Sequence, residues 1–179
     1  MEHHVLLDNV QFPKTSRGTW INRVQLAVGG QAVWVTMPIH RAFHGVRRIS
    51  EVKIDNEKQW RVKVLKTIQM NYAKASFFNE MFPFVTNLVN NPTDSLLHYN
   101  LAAIQTLSGS LRLDSSKFIL NSTLNCDGSG TDLLVEITQA VDGQAYLCGG
   151  GAVDYQEDEK FVEAGIDLIY QNFKYPLYS

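Results

Sequence analysis

A chain of 179 residues, 45% hydrophobic and 19% charged, has the make-up of one ordinary globular domain with a real core. Its formal net charge of -2 gives no electrostatic reason to bind nucleic acid or an acidic membrane face, and no apolar run approaches the roughly 20 residues of a membrane-spanning helix. Its two cysteines, Cys126 and Cys148, are too few for a disulfide framework or a four-cysteine zinc site, and the opening MEHHVLLDNV lacks the apolar region of a signal peptide, so the expected setting is cytoplasmic.

The first element is a short apolar run, residues 5–7, that stops at Asp8 as a strand end does. The stretch LLDNVQFPKTSRGTWINRVQL then sets Asp8, Asn9, Gln11, Lys14, Arg17, Asn22 and Arg23 around two aromatic anchors, Phe12 and Trp20. Two readings are open, a binding wall or a solvated turn between strands. RVQLAV, GGQ and AVWVTMPI predict a β-hairpin over residues 23–39, rich in β-branched and aromatic residues. HRAFHGVRR concentrates His40, Arg41, His44, Arg47 and Arg48, which would suit a phosphate or carboxylate; with no acidic third ligand nearby, it reads as a basic loop and not a metal site. ISEVKI, residues 49–54, alternates and predicts another strand.

From Asp55 the period lengthens. Trp60, Val64, Ile68 and Tyr72 recur every four residues and predict a helix over 57–73. Phe78, Met81, Phe82, Val85 and Leu88 predict a second over 75–90, with Pro83 as a defect or break. In NPTDSLLHYNLAAIQTL a third helix is expected, capped by Thr93, burying Leu97, Leu101, Ile104 and Leu107, with His98 packed in the core. The last third alternates strand and helix: KFIL, GTDLLVEITQAV, AYLC, DEKFVEAG with its terminal glycine, and IDLIYQ. The fold class is therefore α/β, a mixed and partly parallel sheet with a β-hairpin near the N-terminus and a helical middle segment. Without a linker or repeat, residues 1–179 read as a single domain.

Two glycine loops follow strands. In LNCDGSGTDLLVEI, Gly128 and Gly130 would let the backbone approach an anion, and Thr131 stands at a helix start, where amide groups favour negative charge. A plain turn with an N-cap accounts for the same residues, and the spacing is neither a Walker motif nor a dinucleotide fingerprint. In YLCGGGAVDY, Gly149, Gly150, Asp154 and Tyr155 follow the next strand, and Gln171 and Lys174 leave the last one. If the strands are parallel neighbours, these loops share the crevice at the strands' carboxyl ends. A helix N-terminus would lower the pKa of Cys126, but a small residue packed under a turn is the simpler account. There is no G-x-S-x-G elbow and no C-x-x-C pair. Phe173, Tyr175 and Tyr178, around Pro176, read as a packed tail.

The opening stretch together with VWVTMPI, the W…LKTI…Y.KA.FF run, GTDLLVEI, YLCGGGAVDY and F.EAGIDLIYQNFKYPLY resembles the WbqC-like family, in order and over nearly the whole chain. Members of that family look like proteins encoded among genes for bacterial surface polysaccharides, including lipopolysaccharide O-antigen. They usually begin with an earlier M-Q-P-x-x-x-P-x-x-G-x-F strand and loop and continue past the position of Tyr178. Relative to them this domain is expected to be truncated at both ends. The missing opening is similar to the phosphate-holding first unit of nucleotidylyl transferases.

The resemblance implies a role in polysaccharide assembly, as a possible transferase acting on a nucleotide, activated sugar or acyl donor. Asp8, Lys14 and Arg23 would be catalytic, Asp8 as base and the cations offsetting negative charge. Gln11, Asn22, Gly128, Gly130, Thr131, Gly149, Gly150, Asp154 and Gln171 would bind ligand. No metal site is expected, and no cofactor is specified. A non-catalytic nucleotide- or sugar-binding module, or a scaffold subunit, is the alternative. Exposed sheet edges left by a missing strand make a homodimer the expected assembly.

Overall fold

The computed structural model describes residues 2–13, 19–41, 45–149 and 156–174. Lys14, Arg17, His44, Gly150, Ala152, Asp154, Tyr155, Tyr175, Pro176 and Tyr178 lie outside the described residues. The chain divides into two compact units. Asp8–Ser115 forms the central unit; Met1–Leu7 and Ser116–Ser179 together form the flanking unit.

The central unit opens with β2 (Arg23–Val28) and β3 (Gln31–Thr36), which follow the short strand β1 (His4–Leu6) of the flanking unit. β2 and β3 pair antiparallel with Val24 opposite Val35 and Leu26 opposite Val33. Gly29 and Gly30 link them at φ +58° and +79°, a two-residue turn that side-chain-bearing residues rarely adopt. The expected strand at 49–54 is not one. Ile49–Glu51 is a 3-10 turn, because the Glu51 carboxylate accepts the Arg48 amide (3.0 Å) and turns the chain back on itself. Only the following residues extend. Ile54 bridges Ile39, and Lys53 bridges Ser95.

Three helices complete this unit: α1 (Trp60–Tyr72), α2 (Phe78–Val89) and α3 (Leu96–Ser110). Pro83 sits inside α2 without ending it. The cap of α3 is Ser95, whose hydroxyl accepts the His98 amide (3.3 Å), and not Thr93. The Thr93 hydroxyl is already engaged by the Ser95 amide at 3.2 Å. That start turns Leu96 fully inward and leaves Leu107 45% exposed, opposite to the expected burial; His98 is exposed as well. The core is Phe12, Ile39, Val52, Ile54, Trp60 and Leu96.

In the flanking unit β1 pairs in parallel with β4 (Phe118–Leu120). β5 (Ala145–Cys148), α5 (Asp158–Glu163) and β6 (Asp167–Tyr170) form a strand–helix–strand unit with β5 and β6 parallel. Phe161 of α5 is fully buried, its ring stacked on Tyr146 at 5.0 Å. Gly165, at φ +68°, stops α5, and the Ile166 amide reaches back to the Phe161 carbonyl at 2.8 Å. α4 (Gly130–Ala140) buries Leu133 and Ile137. The fold is α/β, and the strands among the described residues form three two-stranded ladders. No helix among the described residues is long and apolar enough to cross a membrane.

Candidate functional site

In the central unit, the polar opening stretch first serves the backbone. Asn22 is buried; its amide group donates to the Met37 carbonyl (2.9 Å), and its own backbone carbonyl accepts the Met37 amide (2.8 Å). The hairpin is thereby pinned at its base. Arg23 lays its guanidinium over Trp34 at 3.9 Å, and Trp20 meets Trp34 edge-on at 4.7 Å. Gln11 bridges Arg48 in extended pairing, and Asp8, only 3% exposed, accepts the Ser50 amide through its backbone carbonyl at 3.0 Å.

Past the hairpin the extended chain alternates inward Ile39 with exposed His40, and buried Ile54 with Asp55. Asp55 donates its amide to the Pro38 carbonyl (2.9 Å), and His40 donates its own to the Lys53 carbonyl (2.9 Å). These two bonds fix both side chains at the rim of one crevice. It measures about 290 Å³ and is lined by Asn22, His40, Arg41, Asp55 and Lys58 among others. Lys58 Nζ lies 3.1 Å from Asp55 Oδ2. The other oxygen, Oδ1, is buried without a hydrogen-bond partner among the described residues. The Lys58 hydrogen bond holds the Asp55 carboxyl below its ordinary value against the opposing effect of burial, with the charges of Lys58 and His40 adding to it. Asp55 is thus an ionised acceptor, flanked by cations.

The glycine loop of the flanking unit has a different character. The amides of Asp127 and Gly128 donate to Glu136 Oε2 at 3.1 and 2.9 Å, so a carboxylate of the same chain occupies this part of the loop. Gly128 is needed there, since a Cβ would lie 2.8 Å from Glu136 Oε1 and 2.9 Å from the Leu133 amide nitrogen. Gly130 is the first residue of α4, at φ +57°, and Ser129 stands at the cap position. Thr131 is buried, and its hydroxyl accepts the Glu157 amide at 3.1 Å. Lys160 pairs with Asp132 (2.8 Å) and Glu157 (3.1 Å). Burial, then the carboxylates of Glu136 and Asp127, push the Cys126 thiol up, the opposite direction to the lowering expected from a helix start.

The strands before the two glycine loops are not ladder partners: β4 pairs with β1, and β5 with β6. Gly149 follows β5, and the Gln171 amide donates to the Cys148 carbonyl (2.9 Å), so these two do meet at the carboxyl ends of β5 and β6. Tyr170 there donates its hydroxyl to Asp158 Oδ2 at 2.7 Å.

A family-level comparison decides what kind of chain this is: the WbqC-like protein family matches residues 1–179. The chain belongs to the WbqC-like family. Comparison with curated proteins and with solved structures finds no match. Among the described residues of this WbqC-like protein no group of three metal-ligating side chains comes together. Among the described residues, Asn22 is the one member of the sequence-derived set that lines the central crevice. His40 and Arg41 were legible as part of a basic run. Asp55 and Lys58 were not, because an acid and a lysine three apart ahead of a helix look like any solvated surface pair. Asp8, Gln11 and Arg23 belong to the central unit; Gly128, Gly130, Thr131, Gly149 and Gln171 belong to the flanking unit.

Proposed function

We propose that this WbqC-like protein acts in the cytoplasm on a nucleotide-linked or otherwise activated small donor during assembly of bacterial surface polysaccharide, O-antigen included, as a transferase of that donor. The observation that carries the reading is the central crevice, lined together by His40, Arg41, Lys58 and Asp55, whose Oδ1 has no hydrogen-bond partner among the described residues. Cations there suit a phosphate or carboxylate, and an ionised carboxylate suits a sugar hydroxyl or amine. At about 290 Å³ the space lies near the lower end of the roughly 300–1,000 Å³ of small-molecule sites. It fits the anionic part of a donor better than a whole nucleotide-sugar.

Asp8, at 3% exposure, is buried in the central unit, and turnover that survives Asp8→Asn is the expected result. Arg23 stacks on Trp34 within the hairpin. One observation favours a carrier that holds its donor without transforming it: a carboxyl held low by Lys58 is a weak proton acceptor. Product formation with a donor and a sugar acceptor separates the two readings. A homodimer is the proposed assembly, and a mass that stays monomeric at every concentration removes it.

The test is thermal unfolding with ATP, nucleotide-sugars and acyl-CoA, each with and without magnesium. A donor at about 100 times its dissociation constant should add roughly 2.7 kcal/mol. The shift should vanish in Lys58→Ala with His40→Ala and persist in a Lys66→Ala control. Shifts identical in all three proteins would remove the crevice from the reading.

A further inference from the structure

α2 is apolar along one side, yet none of its residues is buried. Phe78, Met81, Phe82 and Val85, spaced as a single helix face, line an open groove of about 510 Å³. Ile68 and Tyr72 of α1 line it as well, and Leu26 of β2 and residues 75–77 complete it. The rings of Phe78 and Phe82 stack at 4.8 Å. Met81 is 46% exposed and Phe77 71% exposed. Apart from the hydroxyls of Tyr72 and Ser76, every lining side chain is a hydrocarbon or a thioether. The groove lies within the central unit and shares no residue with the Asp55 crevice.

The volume is that of a small-molecule site, and the walls narrow the ligand. Beside the groove the Ala27 amide of β2 already donates to the Tyr72 hydroxyl at 2.8 Å, so a peptide strand finds that edge taken. Two turns of a helix about 10 Å across displace roughly 850 Å³, more than the groove holds. An aliphatic chain has no polar group to satisfy, and the flexible Met81 adapts to its shape. Lys74, one residue before the lining begins again at Ala75, is exposed and is the only charged residue in 68–79. It forms no ion pair among the described residues. Glu80 falls on the other side of α2 from the lining residues. Residues 60–89 carry Arg61, Lys63, Lys66 and Lys74 against Glu80 alone. A second copy docked by the same surface would set these cations against their own copies, whereas an anionic head group complements them. Of the chain's own segments outside the described residues, 14–18 is the polar KTSRG, and 42–44 is three residues tied at both ends beside Arg41 of the other crevice.

We propose that this groove binds the aliphatic chain of a single-chain anionic amphiphile, taken up as a monomer, with its phosphate or carboxylate head held at Lys74. It is a second ligand site, independent of the donor crevice.

Isothermal titration calorimetry of the purified chain with dodecyl phosphate, kept below the concentration at which it forms micelles, tests this. One saturable site is expected. Dodecyltrimethylammonium should bind at least about fivefold more weakly, and Lys74→Glu should close that gap. Met81→Glu sets a charge against the chain and should weaken dodecyl phosphate binding by about tenfold or more. Met70→Glu, the same change at an 83% exposed residue off the groove, should leave it unchanged. No saturable binding, equal affinity for the two head groups, or equal loss in the two methionine variants overturns the proposal. If Met81→Glu does not fold, the head-group comparison and Lys74→Glu decide. Sedimentation with anionic phospholipid vesicles, without binding of the monomeric probe, would make the groove a membrane face and overturn it. Binding that tightens when residues 175–179 are removed would identify the chain's own tail as the occupant and overturn it too. A dimer that Met81→Glu converts to a monomer would identify a second copy, with the same consequence.

Discussion

Asn22 shows how a polar residue can be indispensable to the fold. Its side chain closes the hairpin through Met37, and its backbone receives Met37 in return. Asn22→Ala removes the side-chain donor from the half-buried Met37 carbonyl and should cost about 1–3 kcal/mol in denaturant unfolding. Tyr170 makes a separate prediction about pH. The hydrogen bond to Asp158, then burial and the Asp158 charge, push its phenol from 10.0 up to about 12. The protonated form is the one the fold favours. The stability it contributes is therefore whole below about pH 10 and is lost as pH rises through about 12. Melting temperatures across that window should fall in the parent chain and fall less steeply in Tyr170→Phe. Lys160, raised by its hydrogen bonds to Asp132 and Glu157, acts in the same direction at alkaline pH, so the variant should retain some dependence.

At the scale of elements, the helical middle is held by one cation as much as by its apolar stripe. Arg61 of α1 donates to the carbonyls of Val89 (3.0 Å) and Asn91 (2.6 Å) at the end of α2 and to Asn56 Oδ1 (2.7 Å). Positive charge at a helix carboxyl end meets unpaired carbonyls there. Arg61→Ala should destabilise the chain by about 2 kcal/mol, and Arg61→Lys should recover only part of it, since an ammonium cannot span three acceptors as a planar guanidinium does. Denaturant midpoints of the three proteins check this. The period of Trp60, Val64, Ile68 and Tyr72 made α1 readable from sequence. The partner of Arg61 was not, because the carbonyls it finds lie some thirty residues further along the chain.

On the scale of the whole molecule, Leu96 and Leu107 separate pattern from packing. Both are leucines on α3, but Leu96 is fully buried in the central core and Leu107 is 45% exposed. Leu96→Ala should cost about 2–5 kcal/mol, whereas Leu107→Ala should stay within roughly 0.5 kcal/mol of the parent. Equal losses would contradict the start of α3 at Ser95. The division into two units is itself a tertiary fact, since the first seven residues join Ser116–Ser179 and not their neighbours in sequence.

What sequence alone determined was periodicity and kinship. The hairpin with its paired glycines, the three middle helices, the parallel β5–β6 unit and the family all follow from local spacing and from residue order along the chain. Tertiary structure decided which polar groups are spent on the fold. The strand expected at 49–54 gave way to a Glu51–Arg48 turn, and the amides of Asp127 and Gly128 are taken by Glu136. The crevice around Asp55 exists because residues 37–40 lie against 53–55. A side chain's hydrogen-bond partners are chosen among everything within about 3.5 Å in space, and distance along the chain carries little information about that neighbourhood.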